Sequence, residues 1–158
     1  MENVQNLLFD AARIGDCDKL TALLENGADV NAQDVKGYSP LILACYNNQP
    51  KAVKLLLEAG ADVNLPDAGG NTALMGVSFK GYPDIAELLI AHGANLNQQH
   101  GNGGTALMFA VMFGRNQIAE ILLKHKADKE VCDFRGLKAI DLAVQQGNVE
   151  AVDILEAN

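Results

Sequence analysis

The chain has no tryptophan, and aromatic residues of all kinds make up only 5% of its 158 positions. Any core must therefore be assembled mainly from Leu, Ile, Val and Ala. Cysteine is scarce and odd in number. Cys17, Cys45 and Cys132 stand far apart and none belongs to a Cys-x-x-Cys pair, which excludes a disulfide framework. They read as three small apolar side chains in a reducing compartment. Basic residues are outnumbered: 12 Lys and Arg face 20 Asp and Glu, for a net charge of -8. So acidic a surface repels phosphate backbones and anionic lipid, which argues against nucleic acid and membranes as partners. No segment approaches the roughly 20 apolar residues of a membrane span. The start of the chain carries Glu2 where a signal peptide needs basic residues. A cytoplasmic location is the expectation.

What the chain does have is repetition. Ala28-Asp29-Val30-Asn31 returns as Ala61-Asp62-Val63-Asn64, as Ala94-Asn95-Leu96-Asn97 and as Ala127-Asp128-Lys129-Glu130, each time 33 residues on. Gly37, Gly70, Gly103 and Gly136 keep the same step. So do Ser39-Pro40-Leu41, Thr72-Ala73-Leu74, Thr105-Ala106-Leu107 and Lys138-Ala139-Ile140. Three independent marks at one period, without insertion or deletion, indicate a stack of equivalent supersecondary units.

Each period reads as two short helices and a turn. Ser39 caps the first helix with its hydroxyl and Pro40 pre-sets its first position. Leu41, Ala44 and Cys45 follow at helical spacing, and Asn47-Asn48 breaks the helix. Pro50 opens the second helix and Pro83 repeats it one period later. Val53, Leu56 and Leu57 make an apolar stripe, and Gly60 ends the helix where a left-handed residue is needed. From Asp62 to Gly70 the chain is turn-rich, an extended hairpin-like loop.

The 33-residue period, the Ser/Thr-Pro/Ala-Leu opening and the Gly-Ala-Asp-Val-Asn ending resemble the ankyrin repeat, from about Val4 to Leu155. The resemblance implies an all-α solenoid of stacked helix-turn-helix units joined by hairpin-like loops. It also implies one domain over residues 1–158, with units at about 2–32, 33–65, 66–98, 99–131 and 132–158. The first unit starts directly on a helix with polar Glu2, Gln5 and Asn6. The last places Glu156, Lys138 and Asp141 where inner units have Leu123, Thr105 and Met108. Such polar ends are expected of a complete array. Two departures stand out. The family's Thr-Pro-Leu-His opening has Ile42, Met75, Met108 and Asp141 at its His position, so the usual His bonds between repeats must be absent or replaced by apolar packing. Lys126 stands where Gly27, Gly60 and Gly93 end the other second helices, at a left-handed position that costs a residue with Cβ roughly 1 kcal/mol.

Arrangements that carry chemistry are missing from the sequence. There is no Gly-x-Ser-x-Gly elbow and no phosphate loop of the Gly-x-x-x-x-Gly-Lys-Ser/Thr type. Gly101-Asn102-Gly103-Gly104 lies in a repeat loop and reads as a tight turn. His92 and His125 sit one period apart, on helices stacked roughly 8–10 Å apart, too wide to share a metal. Asp29, Asp62 and Asp128 recur as turn residues. No catalytic residue, cofactor or metal is expected.

In the ankyrin family partners lie along the concave face, built from loop tips and first helices. The ends of those helices here carry Tyr46, Phe79, Lys80, Met112 and Phe113. From the sequence, two readings stay open: these side chains are core, or they form an exposed apolar strip of the kind that marks an interface. Loop tips offer Val35, Lys36 and Tyr38 at one end and Phe134 and Arg135 at the other. The resemblance implies a monomeric protein-binding adaptor or inhibitor, or, more narrowly, an immunity or accessory protein that blocks or stabilises one enzyme. The strip is expected to be bordered by acidic groups and to suit a basic, partly apolar partner. The family also implies possible hydroxylation of Asn31, Asn64 and Asn97.

Overall fold

The computed structural model describes residues 3–158. Among them the chain forms ten helices and no strand, arranged in five antiparallel pairs. The pairs are α1 (Val4–Ile14) with α2 (Cys17–Glu25), α3 (Pro40–Tyr46) with α4 (Pro50–Glu58), and α5 (Ala73–Lys80) with α6 (Pro83–Ala91). Then come α7 (Ala106–Met112) with α8 (Asn116–Lys124), and α9 (Ala139–Gln145) with α10 (Val149–Ala157).

The capping chemistry places the helix starts. Ser39, Thr72 and Thr105 each accept a hydrogen bond from the amide three residues on, which satisfies a donor the helix cannot. Pro40, Pro50 and Pro83 occupy first-turn positions, where a missing N–H costs nothing. Lys138 has no hydroxyl to offer, and Asp141 reaches back to its backbone N–H at 2.8 Å. That bond is the use the last unit finds for its polar substitution.

Odd helices pack on odd and even on even, so the pairs form two layers. Alanines let the odd helices approach closely: Ala12, Ala44, Ala110 and Ala143 are fully buried. The odd helices and the loop tips are the elements that the resemblance assigns to the concave face. Between the layers runs a column of leucines. Leu56, Leu89 and Leu122 are fully buried, as Leu155 nearly is, at one position of successive even helices. Each stabilises the stack by about 1.5–3 kcal/mol through burial. Ile42, Met75 and Met108 are buried, so apolar packing does replace the family's histidine, while Asp141 at that position is exposed.

The loops between pairs also stack. Asp34 Oδ1 accepts the amides of Lys36 and Tyr38, and Asp67 and Asp133 close equivalent turns. Each turn then leans on the next: Ala68 N–H donates to Lys36 O, Gly101 to Gly69 O, and Phe134 to Asn102 O. On the other side of the even helices, Asn31, Asn64 and Asn97 accept from the amides of Asp62, Asn95 and Asp128 in the following unit at 2.7–2.8 Å. Asp29, Asp62 and Asp128 bond locally within their turns, as the sequence indicates. Lys126 has φ 72° and is left-handed like its glycine counterparts. One expectation needs correction. Cys45 is a buried apolar side chain whose thiol burial pushes strongly toward the protonated form, but Cys132 is exposed and Cys17 only half-buried. Cys132 lies in a loop, where no second layer covers it.

Candidate functional site

The 33-residue step puts the last turns of α3, α5 and α7 side by side on the concave face. Tyr46 and Phe79 occupy one position of successive units, and their rings lie 6.2 Å apart and 5° from parallel. Phe113 comes one residue later, at the register of Lys80, while Met112 holds the place of Tyr46 and Phe79. Its ring meets Phe79 edge-on at 4.6 Å and 77°. The three rings are therefore one contiguous ladder. Edge and offset contacts of this kind are worth about 0.5–1.5 kcal/mol beyond the area they bury. Lys80 lays its ammonium over the Tyr46 ring, 4.6 Å from the centroid.

Both readings left open by the sequence hold a part of the outcome. The rings pack on one another, and Phe79, held in the middle, is half-buried. Yet Tyr46 and Phe113 each keep 43% of their surface exposed. Arg115 supports the ladder from behind, donating from Nε to Phe79 O at 3.0 Å.

In front of the ladder, between the odd helices and the loop tips, runs a groove with two lobes. The smaller, of about 320 Å³, is lined by Tyr38, Ile42, Tyr46, Asp67, Met75 and Phe79, among others. The larger, of about 900 Å³, is walled by Met108, Met112, Phe113, His100, Phe134 and Arg135, among others. Asn71 and Phe109 wall both lobes and so join them. Of the residues singled out in the sequence, Tyr46, Phe79, Lys80, Met112 and Phe113 come together, Tyr38 faces the smaller lobe and Arg135 the larger. Lys36 is exposed on the first loop tip, outside both lobes.

Sequence reasoning missed Phe109, Met75, Met108 and His100 as groove residues. Phe109 has a signal in hindsight: it stands where Leu43, Gly76 and Leu142 stand in the other units. His100 has a clearer one, since it replaces the turn aspartate of Asp34, Asp67 and Asp133. Its ring lies 5.0 Å from that of Phe109, and its Nδ1 accepts the Asn102 amide at 2.9 Å.

The odd-helix and loop side of the stack carries five aspartates, Asp10, Asp34, Asp67, Asp133 and Asp141. Its carboxylates are already engaged. Asp34 and Asp67 hold turn amides, Asp10 pairs with Arg13 at 2.7 Å, and Asp141 holds Lys138 N. Asp133, though burial opposes its charge, is kept below the usual carboxylate range by the Arg135 guanidinium and by two backbone amides. Arg13, Lys36, Lys80, Arg135 and Lys138 stand among these acids, with the Lys138 ammonium taken by Glu130 Oε2 at 2.5 Å.

His92 and His125 do not approach one another as ligands. His125 Nε2 is 3.1 Å from Glu87 Oε2, and His92 Nδ1 is bonded to Leu88 O. Among the described residues no cluster of three or more His, Cys, Asp or Glu side chains is placed to hold a metal ion, and no helix is long and apolar enough to cross a membrane.

A family model described as ankyrin repeats (3 copies) matches the chain over residues 8–100 and again over 75–158. No curated protein matches it.

Proposed function

The chain belongs to the ankyrin-repeat family, and from that membership and the groove we propose that it is an adaptor or inhibitor that seats a partner protein on its concave face. Ankyrin repeats are generally protein–protein interaction modules. The observation that carries the reading is the ladder of Tyr46, Phe79 and Phe113, ordered by mutual contact yet open to solvent at both ends. Rigid aromatic faces deliver large burial on docking and little loss of rotamer freedom, which is why they concentrate binding energy. Met75, Met108 and Met112 beside them adapt to an irregular apolar surface. Tyr38, Lys80 and Arg135 supply polar specificity around that apolar centre, with Lys36 at the outer end. The five units, about 2–32, 33–65, 66–98, 99–131 and 132–158, act as a single monomeric platform. A dedicated immunity or accessory role, in which the partner is one enzyme, is the narrower form of the same proposal.

The test compares native-lysate pull-downs by three forms of the full chain, read by mass spectrometry. These are the wild type, the triple variant Tyr46→Ala/Phe79→Ala/Phe113→Ala, and an even-helix variant, Glu58→Ala/Glu120→Ala. A protein held by the first and third but lost by the second, with the helical circular dichroism of all three alike, is the expected result. Retention by the triple variant, or loss only in the even-helix variant, moves the interface off the ladder and refutes the proposal.

A further inference from the structure

Three of the four loops close on an aspartate whose one carboxylate oxygen accepts two amides, at the second and fourth residues beyond it. The third loop has His100 instead. An imidazole nitrogen has a single lone pair, and Nδ1 spends it on the Asn102 amide at 2.9 Å. The nitrogen must be unprotonated to accept, so the loop is closed by the neutral ring with its proton on Nε2. Asn102 is not a free tip. Its carbonyl accepts from Phe134 N–H, while Gly101 N–H donates to Gly69 O. The turn is thus the joint between the loops on either side. The ring also lies against Phe109, the residue common to both lobes of the groove.

We infer that His100 is a pH-responsive latch on the third loop, whose protonation removes the side-chain acceptor of the Asn102 amide and loosens the loop wall of the groove. A proton on Nδ1 sets one donor against another, Nδ1–H facing Asn102 N–H, so the ring turns away or the loop gives. The Asn102 amide loses its partner, while the backbone bonds His100 N–H to Gly104 O and Gly103 N–H to His100 O still hold the turn. The charged groups facing the ring are Asp67 from the preceding loop, and Asp133 with its partner Arg135 from the following one. Burial lowers the His100 pKa below its ordinary value, and the two aspartates act against that effect. Because the folded pKa is the lower one, the latch contributes stability that is complete above the unfolded pKa, about 6.5. It is lost as the pH falls from there through the folded pKa. His92 and His125 close no turn and provide internal controls. The effect on a docked partner rests on the reading of the groove given above; the latch itself does not.

The experiment uses the free full-length chain, so its outcome is independent of whether the groove binds anything. NMR follows the His100 ring, the Asn102 amide and its hydrogen-exchange protection between pH 5 and 8. The expected result is that His100 titrates below 6.5, and that Asn102 loses about tenfold in protection in step with it, as fits one lost hydrogen bond. The variant His100→Asp, which restores the turn used by the other three loops, should hold Asn102 constant across the range. His100→Asn, a neutral acceptor, should do the same. An Asn102 amide indifferent to the His100 titration overturns the inference, as does a pH response that persists in both variants.

Discussion

Lys126→Gly isolates the energetic consequence of one side chain in the wrong backbone region. Lys126 follows α8 with φ 72°, where Gly27, Gly60 and Gly93 follow the other even helices with φ 89°, 94° and 88°. The backbone bonds are the same in kind: Lys126 N–H donates to Leu123 O and Ala127 N–H to Leu122 O, as Gly60 donates to Leu57 and Ala61 to Leu56. A Cβ built on Gly27, Gly60 or Gly93 meets nothing within 4 Å. Crowding is therefore absent, and the difference is the intrinsic cost of a left-handed conformation, about 1–2 kcal/mol. Against this, glycine gives the unfolded chain extra freedom worth roughly 0.5–1 kcal/mol. A cation beyond a helix C-terminus also contributes a few tenths, which salt removes. At high salt the substitution should stabilise by about 0.5–1 kcal/mol, a rise of roughly 1–4 °C in Tm for a chain of this length. The reciprocal Gly60→Lys should destabilise by the same amount. Thermal melts of both at high salt are the assay. A midpoint for Lys126→Gly that stays put or falls, while Gly60→Lys costs its full amount, would show that the Lys126 side chain makes compensating contacts. Two neutral variants would refute the backbone argument itself.

Gly103→Ala and Gly136→Ala form a matched pair. Both glycines are left-handed, at φ 84° and 82°, but a Cβ on Gly103 would sit 2.7 Å from Phe134 N and 2.6 Å from its ring, whereas one on Gly136 meets nothing. Urea unfolding should show a cost of about 1 kcal/mol for Gly136→Ala and at least about 1 kcal/mol more for Gly103→Ala; equal costs would mean that the Phe134 loop yields freely. Asn64→Ala removes the acceptor for the Asn95 amide between the second and third units. It should destabilise by about 1–2 kcal/mol, with Asn64→Asp, which retains an acceptor, recovering most of the loss.

The period of 33 made the architecture readable, because a repeat protein states its local rules several times over. Ser39, Thr72 and Thr105 announce helix starts with the same chemistry, and Gly27, Gly60 and Gly93 announce helix ends. With those in place, Lys126 could be assigned a left-handed conformation from alignment alone. The ladder of Tyr46, Phe79 and Phe113 was legible as proximity. Its mixture of burial and exposure was not, since that depends on how the rings meet, near-parallel between Tyr46 and Phe79 and edge-on between Phe79 and Phe113. Cys132 misled because apolar character in a residue type says nothing about whether a second layer lies over its loop. His100 is legible only by its register, as the residue that stands where Asp34, Asp67 and Asp133 stand in the other loops. Its role is that of the aspartate it replaces.

The aspartates beside the groove have a physical cause that applies to every loop. A net charge of -8 invites the expectation of an acidic binding surface, yet charge counted along a chain does not report where lone pairs are spent. Each loop must satisfy amides that no helix or sheet can take. The short side chain best suited to that task is a carboxylate, so Asp34, Asp67 and Asp133 are turned inward to the backbone by the demands of the turn itself. The unpaired acids, such as Glu58 and Glu120, are left on the even helices. The aromatic and methionine surface is thus bordered by carboxylates whose lone pairs are spent on the backbone while their charge remains. On the function proposed, burial sets the affinity, and the few polar groups of the groove set the fit. The groove loop that closes on a histidine is also the only one of the four whose closure can respond to protonation near neutral pH.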